Sequence, residues 1–228
     1  MCGRFTQSFT WTELVELYRL TGAAAPSLAA SFNVAPLQMA AAVVAHENGF
    51  CLQPVRWGLL PSWAKDQTLG PKLINARAET LAEKPAFRQA LRLRRCVVPV
   101  SGFYEWRGHG REKQPYYVSG LDGWPLSLAG LWERWQDILT FTIITVPANE
   151  KLSPIHERMP AILSPQEALL WLEAPDVSLL RPFASQTLAL WPVSNRVNFP
   201  RNNDPGLIER IEAGEPTQRQ NDQFQLPL

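Results

Sequence analysis

The pattern of apolar and polar positions predicts a chain richer in strands than in helices. From residue 95 onward, short runs of apolar residues follow one another, and turns that contain Gly or Asp separate them. These runs predict strands over 96–100, 102–106, 115–118, 126–132 and 139–146, and a late strand over 187–193. Before them, residues 39–45 and 50–57 read as two strands joined by a turn at Glu47-Asn48-Gly49.

Helices are fewer, and two of them carry clear start signals. Thr10 followed by Glu13 is a capping box that predicts a helix over 11–20, and Ser164 followed by Glu167 predicts one to about residue 172. Shorter helical segments are predicted over 75–81 with an extension to residue 90, from residue 176 onward, and over 205–213. Because the strands cluster and do not alternate with helices, we expect an antiparallel α+β fold rather than a doubly wound sheet.

Length and charge narrow the class of protein. The 228 residues can bury one substantial core, so one domain or two tightly fused lobes are expected. A net charge of +1 gives no bulk attraction for nucleic acid, although four arginines between residues 88 and 95 leave room for a local basic groove. No apolar run approaches the about 18–20 residues of a membrane helix, and polar residues interrupt the start where a signal peptide is apolar. We therefore expect a cytoplasmic protein without a membrane partner.

The cysteines and histidines do not have the spacing of a metal site. Cys2, Cys51 and Cys96 are odd in number and far apart, and the three histidines are isolated from them and from one another. A structural zinc site and a disulfide framework are therefore not expected, and we predict neither a metal nor another cofactor. Cys51 and Cys96 lie in apolar strand-like stretches and are predicted to be core residues.

Cys2, in the opening Met1-Cys2-Gly3-Arg4-Phe5, is the most informative position. Cys is small enough at position two for aminopeptidases to remove the initiator Met, which leaves Cys2 with a free α-amine and a thiol on adjacent carbons. An α-amine titrates near ~7.7–8.0 and a thiol near ~8.5, so both nucleophiles are partly available at neutral pH. The neighbouring ammonium should favour the thiolate. The alternative interpretation is an incidental small residue after the start codon.

Three other polar residues stand among apolar neighbours. Asn75 follows Leu73-Ile74, Glu105 lies between two aromatic residues of a predicted strand, and His156 follows Ile155. A carboxyl group among aromatics resists ionisation, which is how a general acid or base is often made. Each residue also has a structural interpretation: a helix cap for Asn75, the outward face of a strand for Glu105, and a surface loop for His156.

Several common catalytic motifs are absent from the chain. There is no G-x-S-x-G nucleophile elbow and no P-loop, so a serine hydrolase and a P-loop nucleotide-binding protein lack their usual signatures. The Gly108-His109-Gly110 segment lacks the third glycine and the strand-helix context of a dinucleotide site, and we interpret it as a hairpin tip. Cys2 is therefore the best candidate for chemistry in the chain.

Seven sequence blocks together resemble one family, the SOS response-associated peptidases (SRAP). The blocks are MCGRF at the start, FNVAP at 32–36, RWGLLPSWAKD at 56–66, INARAET at 74–80, CVVPVSGFYEW at 96–106, IHERMPAIL at 155–163 and PVSNRVN at 192–198. They occur in the family's order and span nearly the whole chain. We therefore predict an SRAP domain over residues 1–203, followed by a short helix and a loose tail over 204–228.

The resemblance implies a fold and a set of site residues. The implied fold is a β-rich α+β domain with twisted antiparallel sheets, a barrel-like core, flanking helices and a positively charged groove for single-stranded DNA. Carried over by motif, the catalytic residues are Cys2, Asn75, Glu105 and His156. The implied DNA-binding residues are Arg4, Asn33, Pro36, Trp63, Arg77, Trp106 and Arg158. Ala64 departs from the family pattern, because some relatives carry a second Trp there, and this puts stacking by Trp63 in doubt.

The family also implies a function, the covalent capture of abasic sites in single-stranded DNA, with release of the chain's own Met1. The Cys2 amine would add to the ring-opened aldehyde of the abasic sugar, and the thiol would close a thiazolidine that suppresses strand cleavage. His156 would act on the sugar ring oxygen, Glu105 would shuttle protons and Asn75 would fix the attack geometry. The predicted protein is a self-processing peptidase with lyase-like activity that works as a monomer in the DNA damage response.

Other functions remain open from the sequence. An N-terminal-nucleophile amidohydrolase, such as a glutamine amidotransferase, also begins Met-Cys-Gly, but its next residues differ from Arg4-Phe5 and the chain has little room for an ammonia-using domain. A peptidase that acts on other proteins and a non-catalytic DNA-binding module are the further alternatives.

Overall fold

The computed structural model describes residues 2–21, 29–108 and 113–212. Its helices are Trp11–Tyr18 (α1), Arg88–Leu93 (α2) and Pro165–Glu173 (α3). Its strands are Arg4–Gln7 (β1), Ser31–Val34 (β2), Met39–His46 (β3), Gly49–Trp57 (β4), Asn75–Arg77 (β5), Arg95–Val100 (β6), Gly102–Arg107 (β7), Gln114–Gly120 (β8), Leu126–Trp135 (β9), Ile138–Pro147 (β10), Arg158–Pro160 (β11), Ile162–Leu163 (β12) and Leu188–Pro192 (β13). Short 3₁₀ helices cover Gln67–Lys72, Ala78–Thr80, Val177–Leu179, Ser185–Thr187, Asn195–Asn198 and Pro205–Ile208.

The strands form two sheets, and the larger one closes into a barrel. Strands β3, β4, β6, β9 and β10 pair in a ring, while β5, β11 and β12 extend the sheet at its margins. The pairs β4–β10 and β5–β10 are parallel, so the expectation of purely antiparallel pairing is wrong in these two places. A ring of five strands cannot alternate in direction all the way round, and a parallel pair such as β4–β10 is therefore a geometric requirement.

The smaller sheet has the order β13-β8-β7-β1-β2, and all its pairs are antiparallel. Strand β1, which comes first in the sequence, lies inside this sheet between β7 and β2. The buried Gln7 ties this sheet to the barrel, because its Nε2 donates to Ala41 O (2.9 Å) and Pro99 O (2.8 Å). The start of the chain is thus fixed in the interior of the fold.

The strong local signals are confirmed. Both capping boxes are present, with Thr10 and Ser164 at the N-caps of α1 and α3. Helix α1 ends two residues earlier than predicted, at Tyr18, because Arg19 takes a left-handed backbone conformation (φ 51°). The predicted strand pair and its Glu47-Asn48-Gly49 turn correspond to β3 and β4.

Helix predictions from weaker patterns are only partly confirmed: the short helix predicted from residue 176 corresponds to Val177–Leu179, whereas two others differ from the structure. Residues 75–77 form β5 instead of the start of a helix, and the segment predicted over 205–213 is helical only at Pro205–Ile208. A three-residue strand is too short to show alternation in sequence, and β5 exists because its backbone pairs with Ile143 and its neighbours in β10. Three predicted segments lie outside the described residues: the tail after residue 212, most of the 23–30 loop, and the Gly108-His109-Gly110 tip beyond its first glycine.

The arginine-rich segment before β6 has a structural role. The guanidinium of Arg95 is buried and donates to five backbone carbonyls, and Arg94 pairs with Glu133 (2.7 Å). Arg88 and Arg92 are exposed on α2. Two of the four arginines therefore hold secondary structure together and do not line a basic groove. None of the helices in the described ranges has the length and apolar character needed to cross a bilayer.

Candidate active site

Cys2 lies just before β1 and is completely buried. Its Sγ donates to the carbonyl of Arg4 over 3.8 Å. Burial raises the pKa of the thiol, and the negative charge of Glu105 raises it further, while the positive charge of the amino terminus lowers it. In this fold the thiol is therefore protonated at neutral pH, and the effect of a free Cys2 ammonium on the thiol stays a prediction.

Strand β5 brings Asn75 to Cys2. Ala76 points into the core, so its neighbour Asn75 lies on the opposite face of the strand. Asn75 Nδ2 donates to the carbonyl of Cys2 over 2.9 Å. Asn75 Oδ1 is buried and has no hydrogen-bond partner in the part of the chain that the structure describes. One end of the carboxamide therefore holds Cys2, and the other end can accept a hydrogen bond from a bound group.

Glu105 lies in β7, next to the start of the chain. The pairing of β7 with β1 sets Tyr104 opposite Arg4, so Glu105 follows at the level of the residues that precede β1. Only 1% of Glu105 is exposed, which excludes the outward-facing interpretation. Burial raises its pKa to about 7. The carboxyl can therefore release and bind a proton near neutral pH.

His156 precedes β11 and is half-buried. Its Nδ1 accepts a hydrogen bond from the backbone N–H of Arg158 (2.9 Å), so the neutral imidazole carries its proton on Nε2. Burial lowers the pKa of His156, and the positive charge of the amino terminus lowers it too. His156 lies two residues before a strand that pairs with β10, and β10 also pairs with β5, the strand that carries Asn75.

Two predicted DNA-binding residues point to protein partners. Arg4 Nη1 donates to Asn33 Oδ1 (2.8 Å) and to Val197 O (2.7 Å). Burial lowers the pKa of Arg4. Asn33 is 2% exposed, and its Nδ2 contacts the carbonyls of Val197, Phe199 and Asn202 at 3.2, 3.1 and 2.9 Å. In this structure both side chains hold the turn formed by residues 197–202, which we call the 197–202 turn.

Two further predicted contacts are also engaged. Trp106 Nε1 donates to Asn198 Oδ1 over 2.8 Å, again on the 197–202 turn. Arg158 forms a two-point ion pair with Glu79 (2.6 and 2.9 Å) and donates to Thr145 O (2.6 Å). The Arg158 hydrogen bond lowers the pKa of Glu79. A phosphate that binds Arg158 has to share it with this carboxylate.

The remaining predicted contacts face solvent to different degrees. Trp63 is 59% exposed and Arg77 is exposed, whereas Pro36 is half-buried. Pro36 belongs to a tight turn in which Leu37 has a positive φ of 70°, a conformation that is uncommon outside glycine. Leu37 N donates to Trp57 O (2.8 Å), and the Trp57 indole donates to Ile74 O (2.8 Å), next to Asn75. Trp57 thus connects the turn that contains Pro36 with the residue before Asn75.

Other residues around the site are absent from the sequence-based prediction. Glu79 was not predicted as the partner of Arg158, and the side chains of the 197–202 turn were given no role. Glu79 lies in the INARAET block, and the PVSNRVN block ends just before Phe199. The blocks therefore include or adjoin these residues but do not show which residues contact one another. Within the described residues, no group of three or more His, Cys, Asp or Glu side chains could hold a metal ion.

Comparisons with known proteins agree with the fold and the block order. The sequence profile of the SOS response associated peptidase (SRAP) family matches residues 1–200. The Bacillus subtilis "Abasic site processing protein YoqW" is 39% identical over 226 residues, which cover 92% of this chain and 99% of that protein. The Escherichia coli "Abasic site processing protein YedK" is 30% identical over 226 residues, 92% of this chain and all of its own.

A solved structure supports the same assignment. A crystal structure of a Bacteroides thetaiotaomicron protein superposes with a TM-score of 0.72 at 32% identity, covering 79% of this chain and 85% of that one. The β-rich α+β fold implied by the seven blocks is thereby confirmed. This chain belongs to the SOS response associated peptidase (SRAP) family.

Proposed function

We propose that this protein processes abasic sites in DNA by capturing them covalently on Cys2, after Met1 has been removed. The observation that carries the proposal is the set of groups gathered at Cys2: the Asn75 carboxamide on its carbonyl and the Glu105 carboxyl close enough to shift the pKa of its thiol. Both relatives are named abasic site processing proteins, and these names support the choice of substrate.

The chemistry follows from the 1,2-aminothiol. Without its base, the sugar opens to an aldehyde. The Cys2 amine forms a bond to the aldehyde carbon, and water leaves to give an imine. The thiol then adds to the imine carbon, its proton moves to nitrogen, and a five-membered thiazolidine results. Because the aldehyde is consumed, the β-elimination that breaks the strand is suppressed.

The neighbouring groups supply the proton transfers. Glu105, with a pKa of about 7, accepts a proton from the Cys2 ammonium and returns it as water leaves the intermediate. The neutral His156 offers its Nε2–H to the sugar ring oxygen during ring opening. Asn75 Oδ1 accepts a hydrogen bond from the Cys2 amine or a sugar hydroxyl and so fixes the direction of attack.

Single-stranded DNA is the preferred substrate in this proposal, because the exposed Trp63 suits stacking on an unpaired base and the exposed Arg77 suits a phosphate. Trp106 and Pro36 flank the lesion, while Arg4, Asn33 and Arg158 act mainly by holding protein partners. One chain contributes every proposed catalytic group, so a monomer suffices. Self-processing at Met1 and lyase-like release of the product belong to the same proposal.

The proposal is tested with Met-free protein and a single-stranded oligonucleotide that carries one abasic site. Wild type should give a heat-stable shifted band on a denaturing gel, with a mass equal to protein plus DNA minus one water. Cys2→Ala should give no band, and Cys51→Ala, which removes a half-buried thiol elsewhere, should leave the yield unchanged. A crosslink that persists in Cys2→Ala, or a glutaminase turnover that Cys2→Ala abolishes, would overturn the proposal.

A further inference from the structure

Three of the predicted DNA contacts, Arg4, Asn33 and Trp106, converge on the 197–202 turn. Arg4 and Asn33 donate to its backbone carbonyls, and Trp106 donates to the Asn198 side chain. Buried polar atoms are fully used in this arrangement, since Asn33 makes four hydrogen bonds through its carboxamide. Such anchoring fixes the turn in one place relative to the start of the chain.

The turn that is held so firmly exposes an aromatic ring. Phe199 is 57% exposed, although its backbone carbonyl is fixed by Asn33. The Arg201 guanidinium lies 5.8 Å from the centroid of the Phe199 ring. An apolar ring and a guanidinium are thus presented together at the surface by a rigid support.

We propose that Phe199 and Arg201 form a further contact for single-stranded nucleic acid, with the Phe199 ring stacked on a base and Arg201 bound to a phosphate. A flat ring beside a guanidinium is the combination by which proteins hold unpaired bases without reading their sequence. The inference rests on the proposed function for its substrate, and it assigns Arg4 and Asn33 as positioning residues that set the turn.

The location suits a strand whose lesion lies at Cys2. Arg4 is two residues from Cys2 and touches the turn through Val197 O, and Trp106, next to Glu105, touches it through Asn198. Two residues of extended chain span about 7 Å. OB folds, another class of single-strand-binding domain, cover about 4–16 nucleotides, and the inference requires a strand that extends several nucleotides beyond the lesion.

Non-covalent binding of an intact single strand tests the contact, measured by fluorescence anisotropy over a series of salt concentrations. Phe199→Ala should weaken binding by about 5- to 150-fold, the effect of one lost stacking partner, and leave the salt dependence unchanged. Arg201→Gln should reduce the slope of log K against log salt by about 0.7, the effect of one lost phosphate contact on a single strand. Phe199→Trp keeps an aromatic ring at this position and should bind with the affinity of the wild type.

Matched controls lie away from the turn. Trp124→Ala removes a partly exposed aromatic residue after the end of β8, whereas Trp106, which contacts the 197–202 turn, pairs with the start of β8. Arg88→Gln removes an exposed arginine on α2. Both should bind as wild type does. Melting curves establish that the Phe199 and Arg201 variants are folded, as expected for exposed side chains whose backbone is held by Asn33.

The outcomes separate this inference from the proposed function. If the wild type crosslinks an abasic strand but Phe199→Ala and Arg201→Gln bind intact strands like the controls, the contact is overturned and the function stands. If Phe199→Ala lowers the affinity and Arg201→Gln reduces the salt dependence as described, while the wild type forms no crosslink, the contact stands and the covalent function is overturned. Failure of the wild type to bind intact single strands would overturn the contact as well.

Discussion

Glu105 follows Tyr104 in β7, and only 1% of the residue is exposed. Its carboxyl group has a pKa of about 7 in the fold, against an ordinary value of 4.5. The predicted direction is right, but the cause is burial, because Tyr104 and Trp106 lie on the opposite face of the strand in a separate aromatic cluster. The same carboxyl group also raises the pKa of the Cys2 thiol. The sequence does not indicate this effect, because it depends on the pairing of β7 with β1.

The raised pKa of Glu105 predicts a pH-dependent loss of stability. The folded state binds this proton more tightly than the unfolded chain, so the contribution of Glu105 is fully present below about pH 4.5 and is lost as the pH rises to about 7. The loss is on the order of 3 kcal/mol. Glu105→Gln carries no charge at any pH, and we expect it to melt above wild type at pH 8 and close to it at pH 4.5, measured by thermal unfolding.

A difference between wild type and Glu105→Gln that stays constant with pH would contradict this explanation. Glu133→Gln provides a contrast, because the Glu133 carboxylate is buried but paired with Arg94. That substitution should lower stability at pH 8. Crosslinking by Glu105→Gln should be slower than by wild type although the variant is more stable, since the proton acceptor is lost.

Asn75 offers a second test at the residue scale. Asn75→Ala removes the donor to the Cys2 carbonyl and the unpaired Oδ1 together. We expect crosslinking to slow by about 10- to 100-fold, the scale of a misplaced reacting group, while stability falls by only about 1 kcal/mol. Single-turnover crosslinking rates and melting curves measure the two effects. Equal rates in Asn75→Ala and the exposed turn variant Asn48→Ala would argue against a positioning role.

At the scale of elements, Arg95 joins two helices to the barrel. Its guanidinium donates to Leu91 O and Arg92 O at the end of α2, and to the carbonyls of Trp171, Leu172 and Glu173 at the end of α3. The last carbonyls of a helix lack partners within it and carry partial negative charge. One buried cation therefore satisfies the ends of both helices.

This arrangement predicts that Arg95→Lys is not conservative. A lysine has three donors on one atom and cannot reach five carbonyls arranged around a planar group. We expect a loss of about 2–4 kcal/mol in the free energy of unfolding, measured by denaturant titration. Arg92→Lys on the exposed face of α2 should change stability by less than about 0.5 kcal/mol. Similar stability of the two variants would mean that the carbonyls are satisfied in another way.

Elements with local signals were predictable, and elements made by distant pairing were not. The helices that begin at Thr10 and Ser164 depend on hydrogen bonds between residues three apart, which a sequence displays directly. Strand β5 depends on pairing with Ile143 and its neighbours in β10, and its three residues show no pattern of their own. Asn75, which was predicted to lie in a helix, contacts the Cys2 carbonyl from this strand instead.

At the scale of the whole molecule, the five-strand ring decides where the site lies. Because an odd ring needs a parallel pair, β10 runs alongside β4, and β5 continues the same parallel edge. That edge carries Asn75 to the carbonyl of Cys2. The seven blocks predicted which residues belong to the family, whereas the partners of Arg4, Asn33 and Arg158 could only come from the packed structure.

The inner position of β1 also sets the order of events during synthesis. Its partner β7 ends at Arg107, so about 100 residues must leave the ribosome before β1 is paired on both sides. At about 5–20 residues per second, this takes roughly 5–20 s. We expect the Met1–Cys2 bond to be accessible to aminopeptidases throughout that interval. Because Cys2 is completely buried in the finished fold, we expect aminopeptidases to remove Met1 fastest while β1 is still unpaired.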